Sequence, residues 1–255
     1  MEDPNRDDPF YVGYLPKAPA SLAKWLRPRI LLLLLLPLAM GAVIVLSQNE
    51  FGPGTFEFQN YREFEGVLLE EPVPALQLLR PGLEKDDRSI YYLVEFGKKG
   101  GQDAVAGLHG KRAKVRGALI FRGNQTMLEL DSGPGAVQII QDDSPASVPS
   151  SLGRVTLQGE IVDSKCFFGV MKPGNLKPHK ACAIRCISGG IPPVLLVRNK
   201  QDEVRYVLLV SSEGKAVNQQ VLKWVAEPVE VSGQLERWGD YDVLKADLET
   251  LGHPD

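Results

Sequence analysis

The three cysteines of this chain, Cys166, Cys182 and Cys186, fall in one stretch together with His179, one of only three histidines. That stretch reads D-S-K-C-F-F-G-V-M-K-P-G-N-L-K-P-H-K-A-C-A-I-R-C-I-S-G-G-I-P-P, from Asp163 to Pro193. Three thiols and an imidazole form a Cys3His donor set, suited to tetrahedral zinc, to Cu(I) or to an iron–sulfur unit. Pro178 fits the first position of a helix and Gly189 with Gly190 can end one, so the spacing predicts a short helix over 179–188. On it His179, Cys182 and Cys186 follow an i, i+3, i+7 pattern and share one face. Cys166 comes just past Glu160-Ile161-Val162, which reads as a strand end. The Pro173-Gly174-Asn175 turn lets the chain fold back, so that Cys166 can close a four-ligand shell.

The same residues admit other chemistry. Cys166 could form a disulfide with Cys182 or with Cys186, leaving one thiol over. A 182–186 bond is disfavoured, because cysteines four apart on a helix sit about 6 Å apart at Cα. A reactive thiol is the third reading. Asp163, three residues before Cys166, is a candidate partner for His179, since metal-bound histidines are usually held in one tautomer by such a group. Its alternative is an exposed turn carboxylate. Met171 is a soft donor for copper, or simply packing. Lys165, Lys172, Lys177, Lys180 and Arg185 would surround the site and lower a neighbouring thiol's pKa, unless they merely form a solvated loop face.

Two kinds of element must position this segment. The first is an uncharged run from Ile30 to Leu46, about 17 residues, which Ser47 extends to a span just long enough to cross a bilayer. Lys17, Lys24, Arg27 and Arg29 precede it, whereas Glu50, Glu57, Glu63 and Glu65 follow it. The positive-inside rule then assigns residues 1–29 to a cytoplasmic tail, 30–47 to a single-pass transmembrane helix with Trp25 at its inner interface, and the remainder to the far side. A cleaved signal peptide is the rival, but Val45-Leu46-Ser47-Gln48 is not a small-x-small cleavage site. The Phe10-Tyr11-Val12-Gly13-Tyr14-Leu15 patch of the tail suits a membrane surface or a partner. The net charge of −3 gives no basic footprint, which argues against nucleic acid as a partner.

The second kind is β-structure. From about residue 55 short alternating stretches are separated by Gly, Pro and Asp/Asn turns, which predicts a mainly β fold. Two halves look alike. Phe64-Glu65-Gly66-Val67-Leu68 parallels Leu157-Gln158-Gly159-Glu160-Ile161, Tyr91-Tyr92-Leu93-Val94 parallels the run from Tyr206, Gly97-Lys98 parallels Gly214-Lys215, and the strand through Gly117 parallels the one through Gly233. The second Gly-to-Gly interval is longer by close to the length of the cysteine segment. The expectation is therefore an internal repeat of two small OB-like β-barrel modules, 48–141 and 153–255, joined by a linker at 142–152. The second carries a Cys/His insertion with a short helix. An Ig-like sandwich is the alternative.

The D-x-x-C of Asp163 to Cys166, the H-x-x-C-A-x-x-C of His179 to Cys186 and the Gly-x-Pro of Gly190-Ile191-Pro192 resemble the motif of a group of bacterial envelope proteins with a small β-barrel. The resemblance covers the second half of the region beyond the apolar run. It implies a bacterial envelope location, which together with the anchor and orientation read from the flanking charges gives an inner-membrane protein with periplasmic barrels, and it makes the four residues one functional unit without supplying an activity.

No G-x-S-x-G, H-E-x-x-H or phosphate-binding glycine loop is present, and Cys-x3-Cys is not the Cys-x-x-Cys of thiol–disulfide exchange, so catalysis is not the expectation. The sequence points to a membrane-anchored protein with a metal or redox centre, acting in electron transfer or metal handling beside a redox protein or membrane-complex partner. The alternative is an accessory or scaffold subunit with a structural disulfide.

Overall fold

The computed structural model describes residues 20–47, 52–79, 88–141, 149–198 and 204–254. Most of the expected cytoplasmic tail, with its aromatic patch, and the 142–148 part of the expected linker lie outside the described residues.

Helix α1 spans Ala20–Ser47 and contains Pro28 and Pro37. It begins ten residues before the apolar run, taking in part of the segment expected as tail. At 1.5 Å per residue it is about 42 Å long, against roughly 30 Å of hydrocarbon. None of its residues is buried. The Arg29 guanidinium lies 3.8 Å from the Trp25 ring centroid and donates to Trp25 O. The helix is long and apolar enough to cross a membrane, a property that a signal sequence at the same position would share.

The rest of the chain, from Phe51, is a separate compact unit. Its first sheet comprises β1 (Gly54–Phe56), β2 (Arg62–Leu69), β3 (Ala75–Leu79), β4 (Arg88–Val94), β5 (Arg112–Arg122), β6 (Gln125–Leu130) and β7 (Val137–Gln141), with the one-turn helix α2 (Gln102–Val105) between β4 and β5. Pairing runs β5-β2-β3-β4-β6, and a β5–β6 ladder returns to the start. Strands β1 and β7 add to β5. The second sheet is a closed barrel of β8 (Ser150–Asp163), β9 (Pro193–Arg198), β10 (Val204–Ser211), β11 (Pro228–Trp238) and β12 (Tyr241–Ala246). In both rings the first five-strand order is 1-2-3-5-4, and only the third and fifth strands pair in parallel. This is the Greek-key order of an OB-like barrel.

The registers of the two rings also correspond. Arg62 pairs with Gly117 and Val155 with Gly233, while Gly117 faces Leu130 and Gly233 faces Ala246. A side chain at Gly66 would run into Gln77 O and one at Gly159 into Leu196 O, so both first strands need glycine where they bend over the second strand. The ladders match Tyr92 with Leu208, because Ala75↔Tyr92 and Val194↔Leu208 occupy the same place. That is one residue away from the match suggested by the tyrosines.

The rings differ in one connection. The β2–β3 link is a short turn, whereas the β8–β9 link holds a π-helix (Cys166–Val170) and α3 (Leu176–Ser188). Strand β8 starts at Ser150, inside the stretch expected as linker, because Ser150 and Ser151 pair with Arg237 and Glu236. The two barrels share a core. Tyr92 and Tyr241 pack with centroids 4.4 Å apart, Thr126 N donates to Tyr241 Oη at 2.6 Å, and Ile90 N donates to Asp240 Oδ1 at 2.9 Å. Cys166, Phe167, Phe168 and Cys186 belong to this shared core, so the insertion is packed between modules rather than hung on the surface.

Candidate metal centre

Helix α3 starts at Leu176, two residues before Pro178. Proline therefore occupies the third helical position, where its missing N–H is still one that the first turn leaves without an intrahelical partner. Glu160 Oε1 accepts the Leu176 N–H at 2.5 Å and substitutes for a capping side chain. At the other end Gly189 N donates to Arg185 O and Cys186 O, and Gly190 takes the left-handed conformation at φ 98°. Asn218 Nδ2 satisfies Ile187 O and Ile191 O at 2.7 and 2.8 Å. Both ends are thus fixed, and the face bearing His179, Cys182 and Cys186 turns inward. His179 and Cys186 are buried and Cys182 is half-buried.

Cys166 opens the π-helix directly after β8 and is buried. Asp163, the last residue of β8 and fully buried, joins the two ligand-bearing segments. Its Oδ1 accepts the Cys166 N–H at 2.7 Å, and its Oδ2 lies 2.9 Å from His179 Nε2. The exposed-turn reading of Asp163 is therefore overturned. Ligand atoms of Cys166, His179 and Cys182 lie within 4.8 Å of one another, as do those of Asp163, Cys166 and Cys186. Cys166 is common to both groups.

All three cysteines are free thiols, and Cys166 Sγ stands 4.0 Å from Cys186 Sγ. Their contact with each other drives Cys166 upward, with burial adding to it, and lowers Cys186 to about 7 against the opposing effects of burial and Asp163. Within this pair the proton stays on Cys166 and Cys186 is the member that ionises. Lys98 assists that ionisation: its Nζ is 2.8 Å from Cys182 Sγ and 3.5 Å from Cys186 Sγ. Contact with Cys182 in turn raises the Lys98 ammonium above its ordinary range.

Three of the cations expected around the site have other partners. Lys165 is buried, with Nζ on Glu129 Oε2 at 2.5 Å and on Glu95 O and Gly97 O at 2.8 Å each. Lys177 and Lys180 pair with Glu227. Met171 is exposed. Among the described residues the cation that reaches the sulfurs comes from the turn after β4, where the sequence offers Gly97-Lys98 only as a parallel of Gly214-Lys215 and not as part of the site. That turn is seated on the end of α3, with Gly100 N donating to Gly189 O at 2.8 Å and Gln102 Nε2 to Gly190 O at 2.9 Å. A side chain at Gly189 would overlap Lys98 O, so this approach requires glycine. His109 and His253 lie elsewhere, bonded to Glu70 N and near Pro228 O respectively.

The arrangement offers soft, largely desolvated donors on two rigid segments held at a fixed separation by one carboxylate. Replacing Asp163 with Ala frees both segments at once. We expect a roughly 10- to 100-fold loss of Zn2+ affinity, measured by competition with a chromophoric chelator.

Comparison with known proteins finds no matching family model, no similar curated protein and no similar solved structure.

Proposed function

We propose that this is a membrane-anchored envelope protein whose second barrel holds a metal ion through Cys166, His179, Cys182 and Cys186. The observation that carries the reading is the pair of bonds from buried Asp163 to Cys166 N and His179 Nε2, which orients a thiol and an imidazole toward the same place. With Nε2 held by the carboxylate, Nδ1 is the nitrogen left for a metal, the arrangement expected of a metal-bound histidine. Four protein donors leave no open position for substrate, which suits structural or electron-transfer work rather than hydrolysis. The donor set is compatible with zinc, Cu(I) or an iron–sulfur unit. The apolar α1, with Lys24, Arg27 and Arg29 near its start, supports an uncleaved anchor with the barrels on the periplasmic side of a bacterial inner membrane.

The test is metal content and visible spectrum of the full chain, purified anaerobically in detergent. The expected result is stoichiometric metal that disappears in Cys166→Ser. A colourless metal-free preparation with two of the three cysteines oxidised would instead favour an accessory subunit stapled by a Cys166–Cys186 disulfide, the pair whose sulfurs are 4.0 Å apart.

A further inference from the structure

The proposed ligands all belong to the second module, yet a cation from the first reaches their sulfurs. We infer that Lys98 is a positioning residue for the metal's sulfur ligands, its ammonium setting the donor strength and nucleophilicity of Cys182 and Cys186. The inference rests on the metal reading above.

Three observations separate this contact from a chance approach of a surface lysine. First, the turn carrying Lys98 is fixed by groups other than the thiols: Lys165 Nζ holds Glu95 O and Gly97 O, and Gly100 and Gln102 bind the end of α3. Second, among the described residues no carboxylate forms an ion pair with Lys98, although its neighbour Lys99 contacts both Glu95 and Asp103. Third, the corresponding turn of the second module lacks this cation. Glu95 N donates to Lys99 O and Ser211 N to Lys215 O, and Val94 bridges Gly100 as Val210 bridges Ala216. Lys99 therefore matches Lys215, and Lys98 falls where the second module has Gly214.

The chemistry follows from charge. Three thiolates and a neutral imidazole around a divalent ion leave one net negative charge at a buried place, which is costly unless paired. Lys98 supplies the opposite charge and its hydrogens at the sulfurs. A hydrogen bond to a coordinated thiolate lowers the energy of its lone pairs, so the sulfur becomes a weaker donor and a poorer nucleophile, as hydrogen bonds to sulfur tune iron–sulfur potentials.

The test uses the full chain in detergent loaded with Co2+, whose thiolate charge-transfer band reports sulfur energy directly. In Lys98→Met the band is expected at lower energy, with alkylation of the metal-bound thiolates by iodoacetamide faster by roughly tenfold, the lower end of the effect of a group touching a metal ligand. Lys98→Arg, which keeps charge and N–H donors, should restore both. Lys98 is exposed, so neither variant disturbs the core. An unchanged band and rate in Lys98→Met overturns the role while leaving the metal site standing. Absence of any thiolate–cobalt band in the unsubstituted chain, read before any variant is made, overturns the metal reading and this role with it.

Discussion

Cys166→Ser should lose bound metal more completely than any other single change, by more than the roughly 100-fold that an outer partner can account for. Cys166 is the thiol shared by both ligand groups and, of the four proposed ligands, the one that lies outside α3, so its loss leaves the other three on a single helix face. Competition titration against Zn2+ checks the affinity, and melting with and without chelator checks the linkage. A metal at about 1,000 times its Kd stabilises the native state by about 4 kcal/mol. The unsubstituted chain should therefore melt lower when chelated, while Cys166→Ser should melt at the same temperature either way. Met171→Leu serves as the control and should behave as wild type. A chelator effect that survives in Cys166→Ser would place the metal elsewhere.

Lys165→Met is expected to be the most destabilising change at a residue that is not itself a proposed ligand. Lys165 and Glu129 are 3% and 4% exposed, and the ammonium's three hydrogens are all used, on Glu129, Glu95 O and Gly97 O. Removing it strands a buried carboxylate and two carbonyls, which by precedent for broken buried pairs costs about 3–5 kcal/mol. Urea denaturation should show that loss, and adding Glu129→Gln should recover much of it by removing the stranded charge. If the single and double variants are equally unstable, the pair contributes through packing alone.

What the sequence made legible was local. The i, i+3, i+7 spacing put His179, Cys182 and Cys186 on one face, and Asp163 was readable as a histidine partner because it stands three residues before Cys166. The mainly β barrels and the helix-bearing insertion after the second module's first strand were readable from strand-interior glycines and from the longer second interval. What depended on distant pairing was not legible. Lys98 lies 84 residues from Cys182, and no local pattern distinguishes it from Lys99. Lys165 looked like a site-lining cation because it adjoins Cys166, but its neighbour in space is Glu129 on β6. The β4 match slipped by one residue because tyrosine identity suggested it, while ring closure, which fixes the true register, leaves no local trace.

Residues 149–254 contain a closed barrel and every proposed ligand, which invites their excision as a fragment. The shared core says otherwise. Tyr241 and Trp238 are buried in a cluster with Tyr92, Ile90 and Met127 of the first ring, and α3 ends against the turn that follows β4. Cut free, that half would present an oily face to water and leave its thiols uncovered and readily oxidised. The smallest piece worth studying is therefore the whole two-ring body, and a mutation in the first ring that loosens the joint can mimic the loss of a ligand in the second.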